Sequence, residues 1–183
     1  MITKFVDWAR MIKLEHTLFS LPFVISSALL AIDYQNGQID WMIFFWISLC
    51  LLGARSAGMT LNRIFDAEID SLNPRTQDRE IPQGKINKSQ AWFFTIVSLV
   101  LLIFSTLQLP QLCQILLPIA LTWLFAYSWM KRVTWLCHFV LGTTLGGATL
   151  GAWIAITGNL DSFAPVYLAL AVSFWVAGFD IFY

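Results

Sequence analysis

Residues 41–70 read WMIFFWISLCLLGARSAGMTLNRIFDAEID, an apolar run that passes directly into a ladder of acids. Within residues 41–60 the only charge is Arg55. Roughly 20 mostly apolar residues are enough to cross the hydrocarbon core of a bilayer. Beyond that point Asn62, Asp66 and Asp70 stand four residues apart. If the span continues as a helix, the three share one face, with successive positions about 6 Å apart.

The rest of the chain repeats the apolar pattern. Six runs qualify as spans or come close, at about 17–33, 41–60, 91–109, 111–130, 135–157 and 164–183. Of the 183 residues, 58% are hydrophobic and only 12% are charged, against about 25% charged in a typical soluble domain. The expected fold is an all-α, polytopic membrane helical bundle with six spans. Trp41, Trp92, Trp129 and Trp135 fall at span ends, where aromatic side chains suit the lipid–water interface. The short connection at Pro110 predicts a tight antiparallel hairpin between spans three and four. Before the first span, Ile2, Phe5, Ala9 and Ile12 recur at helical spacing among Lys4, Arg10 and Lys13. That pattern predicts an amphipathic helix over about 1–14, lying on the membrane surface rather than acting as a cleavable signal. Cys50, Cys113 and Cys137 sit in separate apolar runs, with neither metal-ligand nor disulfide spacing, and read as small buried hydrophobes.

The formal net charge is zero, which offers nothing to a nucleic acid. The placement of charge carries the information. Lys4, Arg10 and Lys13 precede span one. Arg55, Arg63, Arg75, Arg79, Lys85 and Lys88 lie from the end of span two to the start of span three. Lys131 and Arg132 lie between spans four and five. These are all 11 basic residues, and alternating spans put every one on the same side. The positive-inside rule then makes that side, including the N-terminus, cytoplasmic.

The segment from Leu61 to Ala91 is polar and long for a link between packed helices, which favours a functional loop over about 62–90. Carboxylates repeated at i, i+4 repel one another unless a cation neutralises them. Mg²⁺ is suited to the task, because it binds through one or two carboxylates together with substrate phosphate oxygens. A solvated helix end is the plainer alternative. Two features weigh against it: the acids begin at a membrane span, where charge is costly, and phosphate-binding cations lie on the same side. Arg55 is a charge inside a span and could also be a snorkelling side chain. Tyr127 and Lys131 share a face at i, i+4. The topology brings Asp180, at the end of span six, to the same rim.

On these residues the chain resembles the UbiA superfamily of intramembrane prenyltransferases. Asn62, Asp66 and Asp70 match its N-x-x-x-D-x-x-x-D signature, and Tyr127 and Lys131 match its Y-x-x-x-K element. Asn73-Pro-Arg-Thr, Arg79 and Pro82-Gln-Gly84 resemble its substrate-covering loop. Lys13-Leu-Glu-His16-Thr-Leu-Phe-Ser-Leu-Pro22, Arg55-Ser-Ala-Gly-Met and Gly178-Phe-Asp180-Ile-Phe-Tyr183 resemble the branch that prenylates 4-hydroxybenzoate.

The resemblance implies electrophilic aromatic substitution in quinone (ubiquinone or menaquinone) biosynthesis. A polyprenyl group passes from polyprenyl diphosphate to an aromatic acid in a bacterial inner membrane. Asp66 and Asp70 are expected to hold Mg²⁺, with Asn62 as a further ligand. Lys131, Tyr127 and Arg79 are expected to grip the diphosphate, Arg132 to pair with the acceptor carboxylate, and Arg55 and Asp180 to contact substrate. The family fold has nine spans and a second D-x-x-x-D motif beyond the position of Asp180. Residues 1–183 are therefore expected to be a single but C-terminally incomplete prenyltransferase domain, inactive or nearly so alone. A CDP-alcohol phosphotransferase would need an Asp-Gly pair, and the sequence has none. A transporter or membrane scaffold is the other alternative; ionisable groups gathered at one face and the lack of internal repeats disfavour it.

Overall fold

The computed structural model describes residues 2–13, 17–130, 134 and 136–182. The expectations placed on His16, Lys131, Arg132, Trp135 and Tyr183 lie outside the described residues. Within them the chain forms seven helices and no strand: α1 (Ile2–Met11), α2 (Thr17–Tyr34), α3 (Trp41–Leu72), α4 (Lys88–Thr106), α5 (Gln111–Met130), α6 (Cys137–Thr157) and α7 (Ala164–Phe182). Helices α3 to α7 are each long and apolar enough to cross a membrane. The first expected span appears as α2, whose apolar stretch Phe19–Tyr34 is shorter. Phe93, Ile96, Val100 and Phe104 on α4, and Phe174 and Trp175 on α7, leave half or more of their surface uncovered, as side chains solvated by lipid do.

Helix α3 does not stop at residue 60. It runs to Leu72 and ends where Pro74 forces residue 73 out of the helical region; Asn73 has φ −100° and ψ 121°. The expected loop over 62–90 is therefore helical through Leu72, and only residues 73–87 are turns. Asn62, Asp66 and Asp70 all lie on that helical extension. At the other end Asp40 caps α3, its Oδ1 accepting from Met42 N at 2.8 Å. Asn87 and Gln90 form a reciprocal capping box that restarts the chain as α4.

The predicted tight hairpin at Pro110 is corrected by the packing. Helix α4 lies along α3 rather than α5, and α5 lies against α6 and α3. Small and hydroxyl residues decide this. A Cβ at Gly53 of α3 would come within 2.8 Å of Leu102 N, so only glycine permits the observed approach to α4. The inward face of α4 carries Thr95, Ser98 and Thr106, whose hydroxyls donate to carbonyls four residues back at 2.8–3.0 Å. Such side chains allow backbones to approach closely without unsatisfied polar atoms in lipid. An apolar cavity of about 390 Å³ lies among α3, α5 and α6, lined by residues including Cys50, Leu117, Trp123, Leu124 and Thr144, with Leu102 of α4 at its edge. Cys50, Cys113 and Cys137 are free and half-buried rather than buried, and the first two line this cavity.

Helix α1 is docked at one end of the bundle. Met11 and Ile12 are buried with Ile64, Ile86 and Ala91. Trp8 stacks on Phe94 and its indole N–H donates to Thr60 Oγ1 at 3.0 Å. Phe5 remains more than half exposed, in keeping with an interfacial position for the outer side of α1.

Candidate active site at the basic face

Arg10, Lys13, Arg63, Arg75 and Arg79 line one hollow where the end of α1, the C-terminal part of α3 and residues 73–87 meet. Asn62 and Asp70 are buried and Asp66 is half-buried. Residues 73–87 are held by a chain of turns. Thr76 N and Gln77 N donate to Asn73 O, Gln83 N to Arg79 O, and Ile86 N to Glu80 O. Thr76 Oγ1 donates to the Asp70 carbonyl at 3.1 Å, and the fully buried Ile86 anchors the far end. These contacts bring Arg79 over α3. Its Nη1 donates to both Asp70 carboxylate oxygens at 2.7 Å.

Arg79 thus engages the acid ladder itself. Asp70 retains 8% of its side-chain exposure and Arg79 29%, so the pair is only partly screened by water. Arg79→Ala is expected to destabilise the protein by about 1–3 kcal/mol, the cost of leaving a buried charged acceptor poorly paired. Millimolar Mg²⁺ should recover part of that loss. Thermal unfolding with and without the metal measures both effects. An unchanged midpoint would show that the pair carries no stability.

Arg63, half-buried, donates from Nε to the Met11 carbonyl at 3.4 Å and lies within electrostatic range of Asp66, Asp70, Arg79 and Glu80. Tyr127 comes from α5 and lies within electrostatic range of Asp180, Asp66 and Arg55. Residues of α3 and α7 are therefore within electrostatic range of one side chain of α5. Arg55 has not snorkelled clear of the protein. Its Nε is buried and has no hydrogen-bond partner among the described residues, a costly arrangement that an anionic ligand would relieve.

His138 was missed in reading the sequence. Its Nδ1 lies 2.7 Å from Asp180 Oδ2. A lone histidine at the start of an apolar helix gives no signal by itself; only the pairing of α6 with α7 identifies it.

Among the described residues, no three His, Cys, Asp or Glu side chains converge closely enough to hold a metal ion. A ladder of one amide and two carboxylates fits Mg²⁺ of the kind that completes its shell with water and substrate phosphate, and does not fit a metal caged by protein alone.

Comparison with known proteins gives the same direction. The model of the UbiA prenyltransferase family matches residues 20–183. The 4-hydroxybenzoate octaprenyltransferase of Aliivibrio fischeri (strain MJ11) is 30% identical over 148 residues, covering 81% of this chain and 51% of that protein. A UbiA homologue from Aeropyrum pernix K1, solved in its apo form, superposes with a TM-score of 0.79 at 33% identity. The match covers 91% of this chain and 62% of the homologue. A UbiA homologue from Archaeoglobus fulgidus bound to DMAPP and Mg²⁺ shares the fold with a TM-score of 0.70 at 17% identity, covering 94% of this chain and 61% of that one. The chain thus spans about half the length of the curated relative and somewhat more of the solved homologues.

Proposed function

Because the chain belongs to the UbiA prenyltransferase family, we propose that it forms the donor-binding part of a magnesium-dependent aromatic prenyltransferase. The donor is a polyprenyl diphosphate and the acceptor an aromatic acid of the 4-hydroxybenzoate type, in quinone biosynthesis. The observation that carries this reading is the ladder of Asn62, Asp66 and Asp70 on α3, with Arg79 donating to both Asp70 carboxylate oxygens at 2.7 Å. The protein is a multi-pass membrane protein, and the concentration of cations at the basic face supports a cytoplasmic position in a bacterial inner membrane.

Asp66 and Asp70 would hold Mg²⁺, with Asn62 as a further oxygen ligand. When bound, the ion neutralises charge that builds on the diphosphate as the allylic carbon–oxygen bond breaks. Arg79 pairs with Asp70 in the structure described and is assigned to the diphosphate when that carboxylate is engaged by the ion. Tyr127, near the end of α5, and Lys131, four residues further along the sequence, are assigned to the same diphosphate. Groups fixed in place beforehand stabilise the developing charge more than the ground state. Arg55 and Arg132 are the candidates for the acceptor carboxylate; a guanidinium matches that group with a planar fork. The apolar cavity of about 390 Å³ offers room for part of the prenyl tail.

The test is transfer of a radiolabelled prenyl group to 4-hydroxybenzoate in membranes carrying the full-length protein. Product is expected with Mg²⁺ and none after EDTA. Diphosphate binding without any product, or transport of an intact substrate across the membrane, would instead favour the transporter or scaffold reading.

A further inference from the structure

Helices α6 and α7 are in close contact along their length. Glycine makes this possible. A Cβ at Gly142 would collide with the Ser173 carbonyl oxygen, and one at Gly146 with Ser173 Oγ and the Ala169 carbonyl. His138, Gly142 and Gly146 recur every four residues and so share one face of α6. Ala169, Ser173, Ala177 and Asp180 recur at three- and four-residue steps on α7. The crossing that seats Ser173 against the glycines also brings His138 Nδ1 to 2.7 Å from Asp180 Oδ2. Neither side chain is sealed off, since His138 keeps 36% and Asp180 39% of its exposure. Asp180 also lies within electrostatic range of Tyr127, as do Asp66 and Arg55.

A carboxylate only accepts hydrogen bonds, so the imidazole donates from Nδ1, and in the neutral ring Nε2 carries the lone pair. A base oriented in this way by a carboxylate is a familiar arrangement for general-base chemistry. Aromatic prenylation needs such a base. The ring's electron pair forms a bond to the allylic carbon while the carbon–oxygen bond breaks and its electrons leave with the diphosphate. The ring is then a cation that regains aromaticity by losing the proton at the substituted carbon. Resting on the prenyl-transfer reading above, we propose that His138 Nε2 takes this proton and that Asp180 is the positioning residue that holds the imidazole and stabilises the imidazolium formed. No oxidant, reductant or further reactant is needed.

The decisive variant is His138→Asn. Its Nδ2 can still donate to Asp180, so the α6–α7 contact survives, but its amide oxygen is too weak a base to take the proton. In the full-length protein kcat is expected to fall about 10²–10⁴-fold. KM for both substrates and the thermal midpoint should hold, and an acceptor deuterated on the ring should show a larger isotope effect than in wild type. Wild-type rates in His138→Asn with no change in isotope effect would overturn the assignment while leaving prenyl transfer standing. Absence of product from the wild type would overturn both. A check needing no variant at position 138 is the ¹⁵N spectrum of the histidine-labelled protein, which has two histidines. His138 must be protonated at Nδ1 and bare at Nε2, and the opposite tautomer overturns the proposal.

Discussion

Asp66→Asn is expected to lower prenyl transfer by at least about 10³-fold, equivalent to about 4 kcal/mol of transition-state stabilisation. Asp66 is the middle rung of the ladder on α3. It is half-buried and lies within electrostatic range of both Tyr127 and Arg63. Asparagine has the same shape, so the helix and its packing persist, but its neutral amide is a far weaker ligand for a hard dication. The chemistry that the ion supplies is worth several kcal/mol when charge develops on a leaving diphosphate. The measurement is transfer of label at saturating substrates and Mg²⁺, with the thermal midpoint confirming an intact fold. A variant that keeps more than a tenth of wild-type transfer removes Asp66 from the site. Asp70 is a less clean target, because Arg79 donates twice to its carboxylate and the same substitution would also disturb residues 73–87.

Gly142→Leu is expected to cost about 3 kcal/mol of stability, the upper part of the range for overpacking. No rotamer avoids the clash, since the first side-chain carbon already meets the Ser173 backbone. Helices α6 and α7 must separate, and His138 and Asp180 separate with them. Gly147 supplies the control. It lies on the same helix but its added Cβ would meet nothing within 4 Å. Gly147→Ala is therefore expected to be neutral or stabilising by up to about 1 kcal/mol, the helix-propensity gain. Thermal midpoints of the two variants in the same detergent make the comparison. Equal midpoints would mean that the close crossing is not what holds these helices together.

The broad fold was legible because its causes are local. Each span is a contiguous apolar run long enough for a helix that satisfies its own backbone in lipid. Asn62, Asp66 and Asp70 were legible for the same reason, as a four-residue spacing projects directly onto one helix face. The packing order was not legible. A short link at Pro110 says that α4 and α5 are neighbours in sequence, yet the hydroxyl face of α4 and Gly53 of α3 bind those two helices more closely. Likewise, nothing in residues 73–87 reveals that Arg79 folds back onto Asp70. That contact depends on Thr76 and Ile86 finding their places against the rest of the basic face.

The sequence alone determined that this is a helical membrane protein with its cations and its acid ladder on one side. Hydrophobicity and helical periodicity are properties of neighbouring residues, and they need no knowledge of how helices pair. Tertiary structure alone decided which charges meet: Arg79 on Asp70 and His138 on Asp180. Those pairings arise from distances between helices, which are set by where glycine and hydroxyl side chains let two backbones come together.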